Sequence, residues 1–229
     1  MNVPPFFPEQ IEIAGNVAQE AYAVRVRFVK RVVALHSLSV FGFLVFVAYE
    51  AAPPHLAAGL TFTLGALLGL SLVRGLVRRW RYEQLLSFLF IFPLFVGIAV
   101  LVRVATQQGM PLEVFALPSV LCLAYVAGCG RDFSFLGMFT MTSGASVALF
   151  AVEFFTHRLV GFQLAEAIVG TIAYLAYFVY DLAALQTRRR LGQELGGVMD
   201  LYRDVLNFTT YPIRVVQHWR RHRFWSVKT

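Results

Sequence analysis

GTIAYLAYFVYDL, residues 170–182, decides how this chain is read. No charge interrupts it between Ala167 and Tyr180, and Asp181 closes it. Extended back to Phe162, the run reaches the roughly 20 apolar residues that a helix needs to cross a bilayer. A backbone in lipid must satisfy its own hydrogen bonds, and the alternating pattern of a barrel strand is absent, so the run is a membrane helix. A second aspartate, Asp204, sits in DLYRDVLNF (200–208), another mostly apolar segment. An ionisable side chain at membrane depth is expensive and marks a functional site by default.

Working outward, the same reading covers most of the chain. Its 229 residues are 58% hydrophobic and 14% charged, with a mean hydropathy of +0.65. Soluble domains carry about 45–50% apolar and about 25% charged residues, so this composition defines a polytopic membrane protein. Apolar spans fall near 32–49, 55–73, 85–102, 112–129, 133–155 and 162–181, with a weaker seventh near 198–216. The expected fold class is all-α, with seven transmembrane helices and the last buried in a ring of the other six. Three parts follow: a basic cytoplasmic leader at 1–31, one membrane domain at 32–216, and a basic tail at 217–229. The first apolar run begins at Val32, after a polar and charged stretch, so helix one serves as its own uncleaved signal. Cys122 and Cys129 lie about 10.5 Å apart along one helix, too far for a disulfide.

Basic residues set the orientation. Arg25, Arg27, Lys30 and Arg31 precede helix one, and Arg74, Arg78, Arg79 and Arg81 lie between helices two and three. Arg131, Arg188, Arg189 and Arg190 fall on the same side. Only Arg103 and Arg158 lie in the loops opposite. The positive-inside rule then makes the amino terminus cytoplasmic, and no nucleic-acid partner is needed to explain the charge. A full seventh span would put Arg220, Arg221, Arg223 and Lys228 outside; a re-entrant segment would keep them inside.

The aspartates are the candidate chemistry. Two carboxylates in contact cannot both ionise cheaply, so Asp181 and Asp204 would titrate as a pair. Ionised, the pair is a hard oxygen site suited to Ca²⁺; protonated, it is a neutral clasp between two helices. The plain alternative is two unrelated interfacial aspartates, each paired with a nearby arginine. Arg79, Arg78 and Arg81 are candidate latches, close enough in topology to bridge to an ionised aspartate and release it on protonation. Arg214, about 15 Å beyond Asp204 along a helix, could line or plug the outer half of a pathway. Secondary polar candidates are Asp200, Asn207 and Glu153, the last forming an outer vestibule with Glu166. His36 is read as a packed, hydrogen-bonded histidine, and Gly65 and Gly69 as a close-packing pair on helix two. Nucleophile-elbow, HExxH and phosphate-loop signatures are all missing, so no enzyme and no cofactor are expected.

Three stretches resemble the transmembrane BAX inhibitor motif family. GTIAYLAYFVYDL (170–182) is similar to its sixth helix, which ends in a YD dipeptide. DLYRDVLNF (200–208) resembles the start of its last helix, and GRDFSFLGMF (130–139) its charged entry to helix five. The resemblance implies a central seventh helix wrapped by six others, and a pH-sensitive calcium leak in a bacterial inner membrane. It implies that Asp181 and Asp204 are the paired aspartates, that Arg79 contacts them, and that Arg214 is the basic residue late in the last helix. Arg203 and Asp200 depart from the family pattern and could pair with the dyad and shift its titration.

The expected function is therefore a Ca²⁺ leak in the lipid bilayer, gated by H⁺ at Asp181 and Asp204. The alternatives are a membrane interaction protein acting on quality control or stress signalling through a membrane-protein partner, and a proton-coupled cation exchanger.

Overall fold

The computed structural model describes residues 12–49, 55–77, 80–205 and Val216. Among them every regular element is helical: a short 3-10 turn at Val17–Gln19, then α1 (Tyr22–Tyr49), α2 (Leu56–Leu76), α3 (Trp80–Gln107), α4 (Glu113–Gly128), α5 (Phe135–Phe155), α6 (Gly161–Arg188) and α7 (Glu194–Arg203). Five helices are long and apolar enough to cross a membrane: Tyr22–Ala48, Leu56–Leu76, Arg81–Gln107, Phe135–Phe155 and Gly161–Arg188. The 16-residue α4 is about 24 Å long, short of the ~30 Å hydrocarbon core. Six of the seven predicted spans thus fall on helices, because apolar length is a local property.

Two boundaries move. The first helix begins at Tyr22 and not at Val32, so the end of the predicted leader is helix. Val26, Phe28 and Val29 are buried there, and tertiary packing carries the helix outward past its charges. The Tyr22 hydroxyl donates to the Phe133 carbonyl at 2.8 Å, and Lys30 Nζ to the Gly130 carbonyl at 2.7 Å. Both tie the start of α1 to the turn between α4 and α5. The predicted seventh span overlaps α7 only at its beginning; residues 206–215 and the tail at 217–229 lie outside the described residues.

The deepest burial is at the end of α6 and along α7. Phe178 through Leu185 are all buried, as are Gly196 through Tyr202. The short α7 is held by α1, α2, α3 and α6. Helices α2 and α3 form the tightest pair, and small residues explain it. A Cβ on Gly69 would enter the Phe90 ring, and one on Gly97 would lie 2.6 Å from the Thr63 backbone nitrogen. Gly59 abuts Leu101 in the same seam. Of the predicted Gly65–Gly69 pair only Gly69 serves this packing, since Gly65 faces open space. Cys122 and Cys129 are free thiols, as their spacing requires.

Candidate functional site

The site is built where α6 turns back into α7. The turn passes through Gly192, whose φ of 81° suits a residue without a Cβ. The return brings Asp204, at the end of α7, beside the last turns of α6. Asp181 and Arg188 lie seven residues apart on α6, two helical turns, and so share a face.

Arg188 joins the two aspartates. Its guanidinium donates to Asp181 Oδ1 at 3.2 Å and to Asp204 Oδ2 in a shorter contact. The chain of charges continues from there. Arg203 reaches Asp204 Oδ1 at 2.9 Å and Asp200 Oδ1 at 2.7 Å. Arg189 Nε holds Asp200 Oδ2 at 2.6 Å, while its NH2 reaches Glu83 Oε1 at 3.1 Å. Arg74 closes the series on Glu83 Oε2 at 2.8 Å. Acid and base alternate throughout: Asp181, Arg188, Asp204, Arg203, Asp200, Arg189, Glu83, Arg74. Four helices contribute, α2, α3, α6 and α7, and the charges balance.

Burial makes this arrangement consequential. Asp181, Asp200 and Arg189 are each 1% exposed and Asp204 is 3% exposed. Ions so placed are tolerable only when paired and hydrogen-bonded, because removing one partner strands a charge in low dielectric. Asp200 lies on α7, outside the five spanning-length helices. Burial alone would raise its pKa, but Arg203 and Arg189 outweigh that and hold it well below the usual carboxylate range. Burial likewise disfavours the charged form of Arg189, and Asp200 with Glu83 more than compensates. Gly196 lets the network close: a Cβ there would sit 2.8 Å from the Arg189 guanidinium.

The predicted residues divide. Asp181, Asp204 and Asp200 are brought together, with Arg203 between the last two. Arg81, a predicted latch, is exposed at the start of α3 and takes no part in these ion pairs. Arg78, Arg79, Arg214 and Asn207 lie outside the described residues. Glu153 pairs with Arg158 at 3.4 Å on the exposed end of α5, a surface ion pair of small energetic weight. As a Ca²⁺ site, the Asp181–Asp204 pair does not fit an ion in this arrangement, because the Arg188 guanidinium lies between the carboxylates. Among the described residues, no group of three or more His, Cys, Asp or Glu could hold a metal.

Sequence reasoning missed Arg188, Arg189, Glu83 and Arg74 as members of the site. Arg188 and Arg189 read as topology charges, yet the seven-residue spacing from Asp181 to Arg188 was visible. Glu83 is the one acidic residue in the first turn of α3; nothing local ties it to residues more than a hundred positions away.

Fold and site together describe an all-helical protein, with several helices fit to cross a membrane and a buried, charge-balanced cluster at one end of α6. Comparisons with family models, with curated proteins and with solved structures found no match for this chain.

Proposed function

We propose that this protein is a pH-sensitive cation leak of a bacterial inner membrane, with Ca²⁺ as the permeant ion and Asp181 and Asp204 as the proton sensor. The observation that carries the reading is the Arg188 bridge: two buried aspartates on successive helices, joined through a single guanidinium. The resemblance of 170–182 and 200–208 to the transmembrane BAX inhibitor motif family supports the same assignment. In this reading the chain crosses seven times, the last span runs on from α7 and is enclosed by the others, and the amino terminus and the charge cluster face the cytoplasm.

The gating step follows from electrostatics. With both aspartates ionised, Arg188 is neutralised, α6 and α7 are clasped, and the carboxylates are closed to other cations. Protonating either aspartate leaves Arg188 buried with less counter-charge. Removing one partner of a buried pair costs about 3–5 kcal/mol, enough to favour a rearrangement that returns the guanidinium to water. The carboxylate that stays ionised is then open to a passing cation. Acid therefore loosens the clasp and raises the leak.

The test is Ca²⁺ entry into liposomes holding the purified protein, from pH 5 to 8, beside Asp181→Asn and Asp204→Asn. The expected result is a flux that grows toward acid and a flattened pH dependence in both variants. No flux above protein-free liposomes, with the protein folded by circular dichroism, would defeat the proposal.

A further inference from the structure

The chain ahead of α1 is tied to the end of α6. Ile13 N donates to the Thr187 carbonyl at 3.1 Å, and Val17 N to the Arg189 carbonyl at 2.9 Å. Arg190 Nε adds a third bond, to the Ala14 carbonyl at 3.1 Å. The last carbonyls of a helix have no partner within it and are often left to water. Here amides from the leader take the Thr187 carbonyl and that of Arg189, the residue that follows the helix. Thr187 and Arg189 flank Arg188 in the chain. The leader therefore holds, on both sides, the backbone that carries the clasp between Asp181 and Asp204.

The segment is shaped for this contact. Gly15, at a φ of 66°, bends the chain between the two backbone ties. Asn16 Nδ2 closes the bend on the Ile13 carbonyl at 2.7 Å, and Gly15 N donates to Gln19 Oε1 at 3.2 Å. Beyond the bend, Asn16 and Val17 are both buried, and Val17 joins the main apolar core. The short 3-10 turn that starts at Val17 packs on α1 and α6. One apolar anchor and three hydrogen bonds thus form a strap across the end of α6. Each bond replaces one to water and contributes modestly, so a contact of this size can be released.

The strap bears on gating. For the clasp to open, the Arg188 guanidinium must leave the aspartates for water. Its side chain is 13% exposed, between the buried residues Thr187 and Arg189. With so little of it open, its departure requires the last turn of α6 to shift, and the strap holds that turn. We infer that residues 13–17 are an autoinhibitory strap: by holding the Thr187 and Arg189 carbonyls, they keep Arg188 between Asp181 and Asp204 and the leak closed at neutral pH. The inference rests on the leak reading and gives the leader a regulatory role within it.

The test is Ca²⁺ flux at pH 7 into liposomes holding the full-length protein, with amide hydrogen exchange across 12–20 as a second readout and circular dichroism as the check on folding. Val17→Pro deletes one tie, because proline has no N–H. It suits the first residue of the 3-10 turn, and Asn16, at φ −76° and ψ 165°, accepts a proline after it. Gly15→Val strains the bend through its positive φ while its Cβ meets nothing within 4 Å. Each variant should raise the flux about fivefold, the worth of about one hydrogen bond. Neither should add to the flux of Arg188→Gln, because the strap acts through Arg188. Wild-type flux in both folded variants overturns the strap and leaves the leak standing. Flux added on top of Arg188→Gln also overturns it, in favour of general loosening. Unprotected Ile13 and Val17 amides in wild type at pH 7 overturn the contact itself. No flux from wild type or from either variant defeats the leak, and the strap's role falls with it. Flux from the strap variants alone upholds the strap as the element that closes the path.

Discussion

Replacing Arg188 by Gln separates a functional clasp from an incidental ion pair. The side chain of Arg188 is 13% exposed and contacts carboxylates whose side chains are 2% and 5% exposed. Removing the guanidinium leaves two buried anions with one counter-charge fewer, a perturbation worth about 3–5 kcal/mol. Asp204 keeps Arg203 at 2.9 Å, so the lower end, about 3 kcal/mol, is the appropriate figure. If the clasp holds the closed state, that energy shifts the open-to-closed ratio roughly 100-fold. The assay is Ca²⁺ flux into proteoliposomes at pH 7. Arg188→Gln should leak at neutral pH as wild type does in acid, and the double variant Arg188→Gln/Asp181→Asn should return toward wild type because the stranded charge is gone. Detergent-denaturation melts read whether the same energy appears as lost stability. Wild-type flux and wild-type stability in folded Arg188→Gln would refute the reasoning.

Two further outcomes follow from the geometry. The carboxyl of Asp200 is held below its ordinary value of 3.8 in the folded protein, so the stability it contributes is complete above that value and is lost as pH falls through the depressed one. Asp200→Asn should therefore lower stability at neutral pH and flatten its decline in acid, measured by thermal melts across a pH series. In the seam between α2 and α3, Gly97→Ala should destabilise by about 1–3 kcal/mol through overpacking against Thr63, whereas Gly65→Ala, whose Cβ meets nothing within 4 Å inside α2, should not lower the melt and should raise it slightly.

Much of the architecture was legible in the residues. Helices α2 to α6 fall where the apolar runs lie, because the length and hydropathy that suit a bilayer are read from neighbouring residues. The importance of Asp181 and Asp204 was legible for a similar reason, since a carboxylate beside a long apolar run is conspicuous without any partner in view. Arg203 and Asp200 stood out as charges inside an apolar segment, and both belong to the cluster.

The partners were decided by tertiary structure. Arg78, Arg79 and Arg81 share a side of the membrane with Arg188, and the seven-residue spacing that puts Arg188 on the Asp181 face of α6 says nothing about Asp204. The hairpin through Gly192 and the seven-residue return along α6 put Arg188 between the aspartates, and the packing of α3 on α7 brings Glu83 to Arg189. The close-packing glycines show the same division: Gly65 and Gly69 match a motif, yet Gly59, Gly69 and Gly97 face the neighbouring helix. The strap on α6 has no sequence signature, since the carbonyls it holds are distant from it in the chain. Local composition fixed which segments are helices and which charges are costly. Which charges meet, and where the strap lies, depended on long-range packing that no single segment encodes.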